Sequence, residues 1–238
     1  MITTEHGMLH PDNLTTLALG RSGYLYKCVE GCAYKARATQ READLMAAAG
    51  DCAVAPLSLV LRHDADDGGL VPSGLIMELA APVDFALVPA AERRAVMDEM
   101  VGLVERLHGG EVGIVHGDIR PASFLRCRDG RLRLCGFESA RLIADGGAEG
   151  WEGRLVVSER YRAPSRRGFP AGGPPQVVDD EYALAVSVWE LFTGKDVSAE
   201  GNVKQDLKEG WMVDLEELAD DEVREFVRKR LRDGGAEV

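Results

Sequence analysis

Positive charge is in short supply in this chain. Its 238 residues set 28 Lys and Arg against 40 Asp and Glu, a formal net charge of −12 with a pI near 4.9. General affinity for phosphate backbones needs concentrated Lys and Arg, so non-specific nucleic-acid binding is excluded, and acidic membrane surfaces are disfavoured likewise. Long apolar runs are missing too. No window approaches the roughly 18–20 apolar residues that a bilayer-spanning helix needs. The start, MITTEHGMLHPDN, has neither a basic n-region nor an apolar h-region. The expected location is cytoplasmic or nuclear. Cysteine is sparse: Cys28, Cys32, Cys52, Cys127 and Cys135 form no C-x-x-C pair and lie near no His cluster. They read as reduced structural thiols, with zinc or a disulfide as the alternatives. What is present suits a folded domain. Apolar residues are 45% and charged residues 29%, in a length that fits one large core or two small lobes sharing a cleft.

Taken in order, residues 14–19, the turn Gly20-Arg21-Ser22-Gly23 and residues 24–28 read as strand, glycine turn and strand. Residues 31–36 supply a third strand. Residues 39–49 (TQREADLMAAA) are rich in helix formers and open on a Thr able to cap them. Two further strands, 55–61 and 74–79, flank a polar loop, RHDADDGGLVPS. Five strands and one helix thus make a small lobe over residues 14–80, behind an N-terminal tail, 1–13. Residues 89–107 carry Val96, Met100, Leu103, Val104 and Leu107 at helical spacing, an amphipathic helix with one face inward. After its acidic first turn the segment 179–195 is almost continuously apolar, a helix buried all round, with Gly194 as its stop. A last amphipathic helix, 220–231, turns Val223, Phe226, Val227 and Leu231 inward. The fold class is α+β, β-rich first and mainly helical over 81–238.

Between the two long helices lies VHGDIRPASFLRCRDGRLRLCGFESAR, residues 115–141. Its His116-Gly117-Asp118-Ile119-Arg120-Pro121-Ala122-Ser123, then Gly136-Phe137-Glu138, resembles the catalytic loop and metal loop of eukaryotic protein kinases, H-R-D-L-x-x-x-N and D-F-G. Gly31-Cys32-Ala33-Tyr34-Lys35-Ala36 looks like the V-A-I-K strand. The stretch Trp151-Glu152-Gly153, then Glu159-Arg160-Tyr161-Arg162-Ala163-Pro164-Ser165, resembles the segment ending in A-P-E, in a style similar to small fungal kinase-like proteins. The motifs keep the family's order over about residues 14–231. They imply a bilobal protein kinase-like fold with a helical lobe that ends early. For a nucleotide, ATP by resemblance, they imply contacts from Gly20 and Gly23 of a shortened glycine loop, Ala33 against the adenine, Lys35 on the phosphates, Glu42 pairing with Lys35, Met77 near the gatekeeper position, Glu78 opening the hinge, and Leu125. They imply Asp118 as the proton acceptor, Arg120 on the transferred phosphate, Asp180 bonded to the catalytic-loop backbone and His116 packed beneath Phe137. Read as residues alone, the hairpin is equally a plain turn, Lys35 a surface residue on an edge strand, and Glu42 a first-turn charge complementing a helix dipole.

The departures fall on particular atoms. Ser123 stands where the family has a metal-binding Asn and Gly136 where it has the metal-binding Asp, so Mg²⁺ is expected to bind weakly or not at all. Glu138 is expected as an exposed charge, or less plausibly as a displaced ligand. Gly117 replaces the catalytic-loop Arg, and residues 142–157 contain no Ser, Thr or Tyr, so switching by phosphorylation of that loop is not expected. Ser165 replaces the A-P-E Glu, and with the early end of the chain both halves of a buried ion pair are missing together. The resemblance therefore implies a pseudokinase that acts as scaffold or allosteric regulator of a protein partner, with metal-independent nucleotide binding left open to it. Two alternatives stand beside it: an active atypical phosphotransferase, on protein or small molecule, using Asp118 as base, and an interaction module with an empty cleft.

Overall fold

A computed structural model of the chain describes residues 15–20, 23–28, 31–63, 68–145, 159–166, 173–197 and 210–238. The turn Arg21-Ser22, the N-terminal tail and Trp151-Glu152-Gly153 lie outside them. Strands β1 (Thr15–Gly20), β2 (Gly23–Lys27), β3 (Cys32–Ala36), β4 (Pro56–His63) and β5 (Leu70–Glu78) form one antiparallel sheet in the order β1-β2-β3-β5-β4. Gly20 lies directly opposite Gly23, so only two residues join β1 to β2. Between β3 and β4, helix α1 (Gln40–Ala49) is capped as its sequence suggests, Thr39 Oγ1 accepting from the Glu42 N–H at 3.1 Å. Its inward residues Glu42 and Met46 are 2% and 0% exposed.

The β4–β5 hairpin reaches further than expected, β4 ending at His63 rather than Leu61. β5 begins at Leu70 rather than Gly74, because the β4–β5 pairing runs out to His63 opposite Leu70. Pro72, which reads as a loop signal, is tolerated there: β3 leaves β5 after Ala36 opposite Gly74, so the strand has an open edge beyond that point.

After Glu78 comes β6 (Ala81–Pro82), then α2 (Arg93–Gly109). Residues 89–92 form a separate turn, Glu92 N–H donating to the Pro89 carbonyl at 2.8 Å, so the helix starts later than its composition suggests. Val96, Met100, Leu103, Val104 and Leu107 all face the core. Then β7 (Ile114–Val115), β8 (Phe124–Arg126), β9 (Leu132–Leu134) and β10 (Arg141–Leu142) build two small ladders, β7 with β10 and β6-β8-β9. These ladders bracket the catalytic-loop segment. The central helix α3 (Val177–Thr193) opens on a reciprocal cap between Gln176 and Asp179 and stops at Gly194, φ 72°. Tyr182, Leu184, Val186, Val188 and Leu191 are fully buried along it. Helix α4 (Asp221–Asp233) packs on α3 through Val223, Val227 and Leu231, with Asp220 capping its first turn. The turn after α4 then meets the A-P-E-like segment, Ser165 N–H donating to the Gly234 carbonyl at 3.2 Å. A Cβ on Gly235 would lie 2.9 Å from that of Ser165, a close approach that glycine permits. The architecture is α+β and consistent with a bilobal kinase-like fold, β-sheet first and helices after. Among the described residues no helix is long and apolar enough to cross a membrane.

Candidate active site

Buried acids hold a loop best when every lone pair meets a donor, and α3 supplies such an acid. Asp180, 1% exposed, accepts from the backbone N–H of His116 and of Gly117, both at 2.7 Å, and lies 2.9 Å from His108 Nε2 at the end of α2. Burial lowers the His108 pKa, but the Asp180 carboxylate, with Glu181 3.8 Å away, outweighs it and the net direction is up. His108 escaped sequence reading because a lone His at a helix end carries no pattern. Only the buried acid opposite gives it a role. His116 is fully buried and edge-on to Phe137, ring centroids 4.8 Å apart. Its Nδ1 accepts from the Asp118 N–H at 3.2 Å, leaving Nε2–H to donate to the Cys135 carbonyl at 3.1 Å. Burial holds its pKa below the ordinary value. Gly117 has φ +79°, and a Cβ there would come within 2.7 Å of Pro175 Cγ. An Arg at this position would strain both backbone and packing.

On this frame stand the candidate catalytic groups. Asp118 is 8% exposed, and Arg120 Nε lies 3.2 Å from its Oδ2. Ser123 is buried, its hydroxyl donating to the Asp118 carbonyl at 2.7 Å. That oxygen ties the loop to itself. Gly136 sits in the left-handed region, φ +86°, with no side chain to offer a ligand. A Cβ built there would lie 3.4 Å from Glu138 Oε2, so Glu138 stands beside the space a residue-136 side chain would use. Mg²⁺ prefers several hard oxygen donors in near-octahedral array. These residues do not fit it, and among the described residues no cluster of three or more His, Cys, Asp or Glu is placed to hold a metal.

Glu138 itself overturns the expectation of an exposed charge. Its side chain is 15% exposed and its carboxylate lies on the Lys35 ammonium, which Glu42 also meets, at 2.5 Å. β3 places Lys35 on the sheet's inner side opposite Leu75, and α1 brings Glu42 to it. Burial lowers the Lys35 pKa, but the two carboxylates overcome this and keep it above the ordinary value. Glu42 shifts upward, first through burial and further through the charge of Glu138, against the opposing pull of Lys35. One cation therefore serves two acids. Above it, Ala33 and Met77 are register partners, 4% and 5% exposed. Glu78 ends β5 and its Oε1 accepts from the Arg128 N–H at 3.3 Å, while Leu125 lies on β8 opposite Pro82 and Arg133. Gly20 and Gly23 close the β1–β2 hairpin by pairing with each other.

On the other side of the loop a cleft of about 310 Å³ is lined by Val83, Arg120, Ala122, Tyr161, Glu190 and Lys195. Tyr161 donates to Glu190 Oε2 at 2.7 Å, and the Val197 N–H reaches Oε1 at 2.8 Å. Burial, more than the opposing hydrogen bonds, raises the Glu190 carboxyl to about 7.

No known protein family's profile matches the chain. Over parts of its length it is similar to curated kinases. It is 33% identical over 105 residues to serine/threonine-protein kinase F of Synechocystis, covering 44% of this chain and 20% of that protein. It is also 33% identical over 122 residues to cyclin-dependent kinase F-1 of Oryza sativa, 48% of this chain and 25% of that protein. With human myotonin-protein kinase it shares 29% over 158 residues, 60% of this chain and 24% of that one. These matches and the fold support a protein kinase-like superfamily. The chain spans about a fifth to a quarter of the length of these relatives.

Proposed function

We propose that the chain is a catalytically impaired kinase-like protein, a pseudokinase, that works as scaffold or allosteric regulator of a protein partner and takes up nucleotide without a metal. The observation that carries this is the Glu138 carboxylate seated on Lys35 beside the bare Gly136. Phosphoryl transfer depends on positioning and charge stabilisation by metals and cations. Here the ammonium is engaged by two acids, one metal position has no donor atom, and the Ser123 hydroxyl is bonded to the loop's own backbone. The likeness to small fungal kinase-like proteins rests on residues 151–153 together with 159–165 and is part of the proposal alone.

A second reading, an atypical phosphotransferase acting on a protein or small molecule, is favoured by one feature. The loop carrying Asp118 is fully tethered by Asp180, with Arg120 at hand. Thermal shift with adenine nucleotides, with and without Mg²⁺ or Mn²⁺, separates the two. Stabilisation without metal supports the impaired regulator, and strictly metal-dependent stabilisation supports the phosphotransferase. No shift at all supports a plain interaction module. Phosphate transfer that is lost on Asp118→Asn would sink the leading reading.

A further inference from the structure

The two places that the resemblance assigns to the nucleotide's base and its phosphates have opposite character. At the β3–β5 end Ala33 and Met77 face each other across the register, buried and apolar. At the other end the Lys35 ammonium meets the carboxylates of both Glu42 and Glu138, with side-chain exposures of 13%, 2% and 15%. Among the described residues, the Lys35, Glu42 and Glu138 side chains together carry one negative charge in excess when both acids are ionised. Arg120, on the neighbouring loop, is engaged with Asp118. Metal ions that would offset a polyphosphate find no donor at Gly136, and the Ser123 hydroxyl is bonded elsewhere.

We infer that Glu138 is a built-in occupant of the phosphate subsite, so that the cleft prefers an uncharged nucleoside or similar flat heterocycle to the corresponding di- or triphosphate. This rests on the nucleotide-site reading proposed above and adds which form of ligand the site accepts. A polyphosphate reaches Lys35 only in the fraction of molecules in which Glu138 has left it, and its apparent affinity falls by that fraction. A neutral nucleoside makes no claim on Lys35 and bears no such penalty. Glu138 also differs from Glu42 in what holds it. Glu42 is fixed on a capped helix, whereas Glu138 sits in a single short turn, Phe137–Ser139, directly after a left-handed glycine. The displaceable acid of the pair is therefore Glu138.

The test is calorimetric titration of the full chain, without metal, with adenosine, ADP and ATP, for the wild type, Glu138→Gln and Glu138→Ala. The wild type should bind ATP about tenfold or more weakly than adenosine, and each substitution should raise the ATP-to-adenosine affinity ratio by about tenfold. An unchanged ratio in the folded variants overturns the inference, and so does a falling ratio, which would make Glu138 a contributor to phosphate binding. ATP binding more tightly than adenosine to the wild type overturns it as well, even if neither variant folds. If none of the three ligands binds any of the proteins, the cleft is not a nucleotide site. The underlying reading then fails, and this inference with it.

Discussion

At Asp180 one buried carboxylate gathers two backbone amides and an imidazole. At Lys35 one ammonium gathers two carboxylates. The first cluster matches acceptor lone pairs to donors, and it fixes the shape of the loop that carries Asp118 from below. The second sets two acids against one cation among the described side chains, and its third member arrives from residue 138, beside Gly136, where the resemblance would put a metal-binding acid. The same short stretch of chain thus serves both clusters, with His116 and Gly117 bonded to the first and Glu138 to the second. What differs is the demand placed on each. A frame needs only to be satisfied in the folded state, while a phosphate site must keep unspent charge for a ligand. The frame is satisfied within itself, and the Lys35 cluster, the phosphate end on the proposed reading, has turned its charge inward.

The sharpest way to break that contrast is to empty the frame. Asp180→Ala leaves the buried amides of His116 and Gly117 without their acceptor and takes from His108 the nearer of its two carboxylates. At about 1–3 kcal/mol for each orphaned buried group, the loss should be about 4–6 kcal/mol. For a chain of this size that lowers the melting temperature by about 10–15 °C in a calorimetric scan. A fall of only a degree or two would mean that the loop is held by something else. Next comes restoring the family's letter inside the frame. Gly117→Arg must adopt φ near +79° with its Cβ 2.7 Å from Pro175 Cγ and 3.0 Å from Ser139 Cβ. Urea unfolding should show a loss of about 2–4 kcal/mol. If the variant is as stable as the wild type, the glycine is not required by packing.

The frame also contains a titrating member. Glu190 on α3 is 3% exposed, accepts from Tyr161 and the Val197 amide, and titrates near 7 instead of 4.5, through burial first and the nearby Asp196 charge in addition. A carboxyl whose folded pKa is raised holds its proton longer in the native state. The stability it contributes is therefore complete below 4.5 and is lost as pH rises through about 7. Across that window the wild type should lose about 2–3 kcal/mol relative to Glu190→Gln, which cannot titrate and can still donate to Tyr161 while accepting from Val197. Parallel pH profiles for the two proteins would show that Glu190 does not titrate there.

How much of this was legible in the sequence follows from how far each feature reaches along the chain. Helices α2 and α4 declare themselves by periodicity and α3 by its near-continuous apolar run, and Thr39 and Gly194 mark ends through local chemistry. The pair Lys35–Glu42 followed from motif order. By contrast β6 to β10 are two or three residues long, too short to carry a period, so the ladders bracketing the loop went unread. The early start of β5 was hidden by Pro72 and the glycines before it. Glu138 is illegible for a different reason: its partner Lys35 lies 103 residues away, and whether an acid after Phe137 turns outward or toward Lys35 depends on the space left by Gly136. A missing side chain was readable as a lost ligand. That the gap would be taken up by a neighbour required the packed structure.

That last point changes what a repair of the phosphate end requires. Restoring the family's metal ligands by Gly136→Asp with Ser123→Asn places a new carboxylate at a position whose Cβ is 3.4 Å from Glu138 Oε2. Two acids at that separation raise each other's pKa and oppose joint ionisation, so one carboxylate would be gained at the expense of another. The double variant should therefore gain little Mg²⁺-dependent ATP affinity. Adding Glu138→Gln removes the clash and leaves Lys35 to Glu42 alone, and the triple variant should gain about tenfold, roughly 1.4 kcal/mol, over the double. Titrating ATP at fixed Mg²⁺ against both variants reads the difference directly. If the double variant already binds as well as the triple, Glu138 is no obstacle and the phosphate end is merely missing two ligands. If the triple gains nothing, the obstacle lies outside residues 123, 136 and 138.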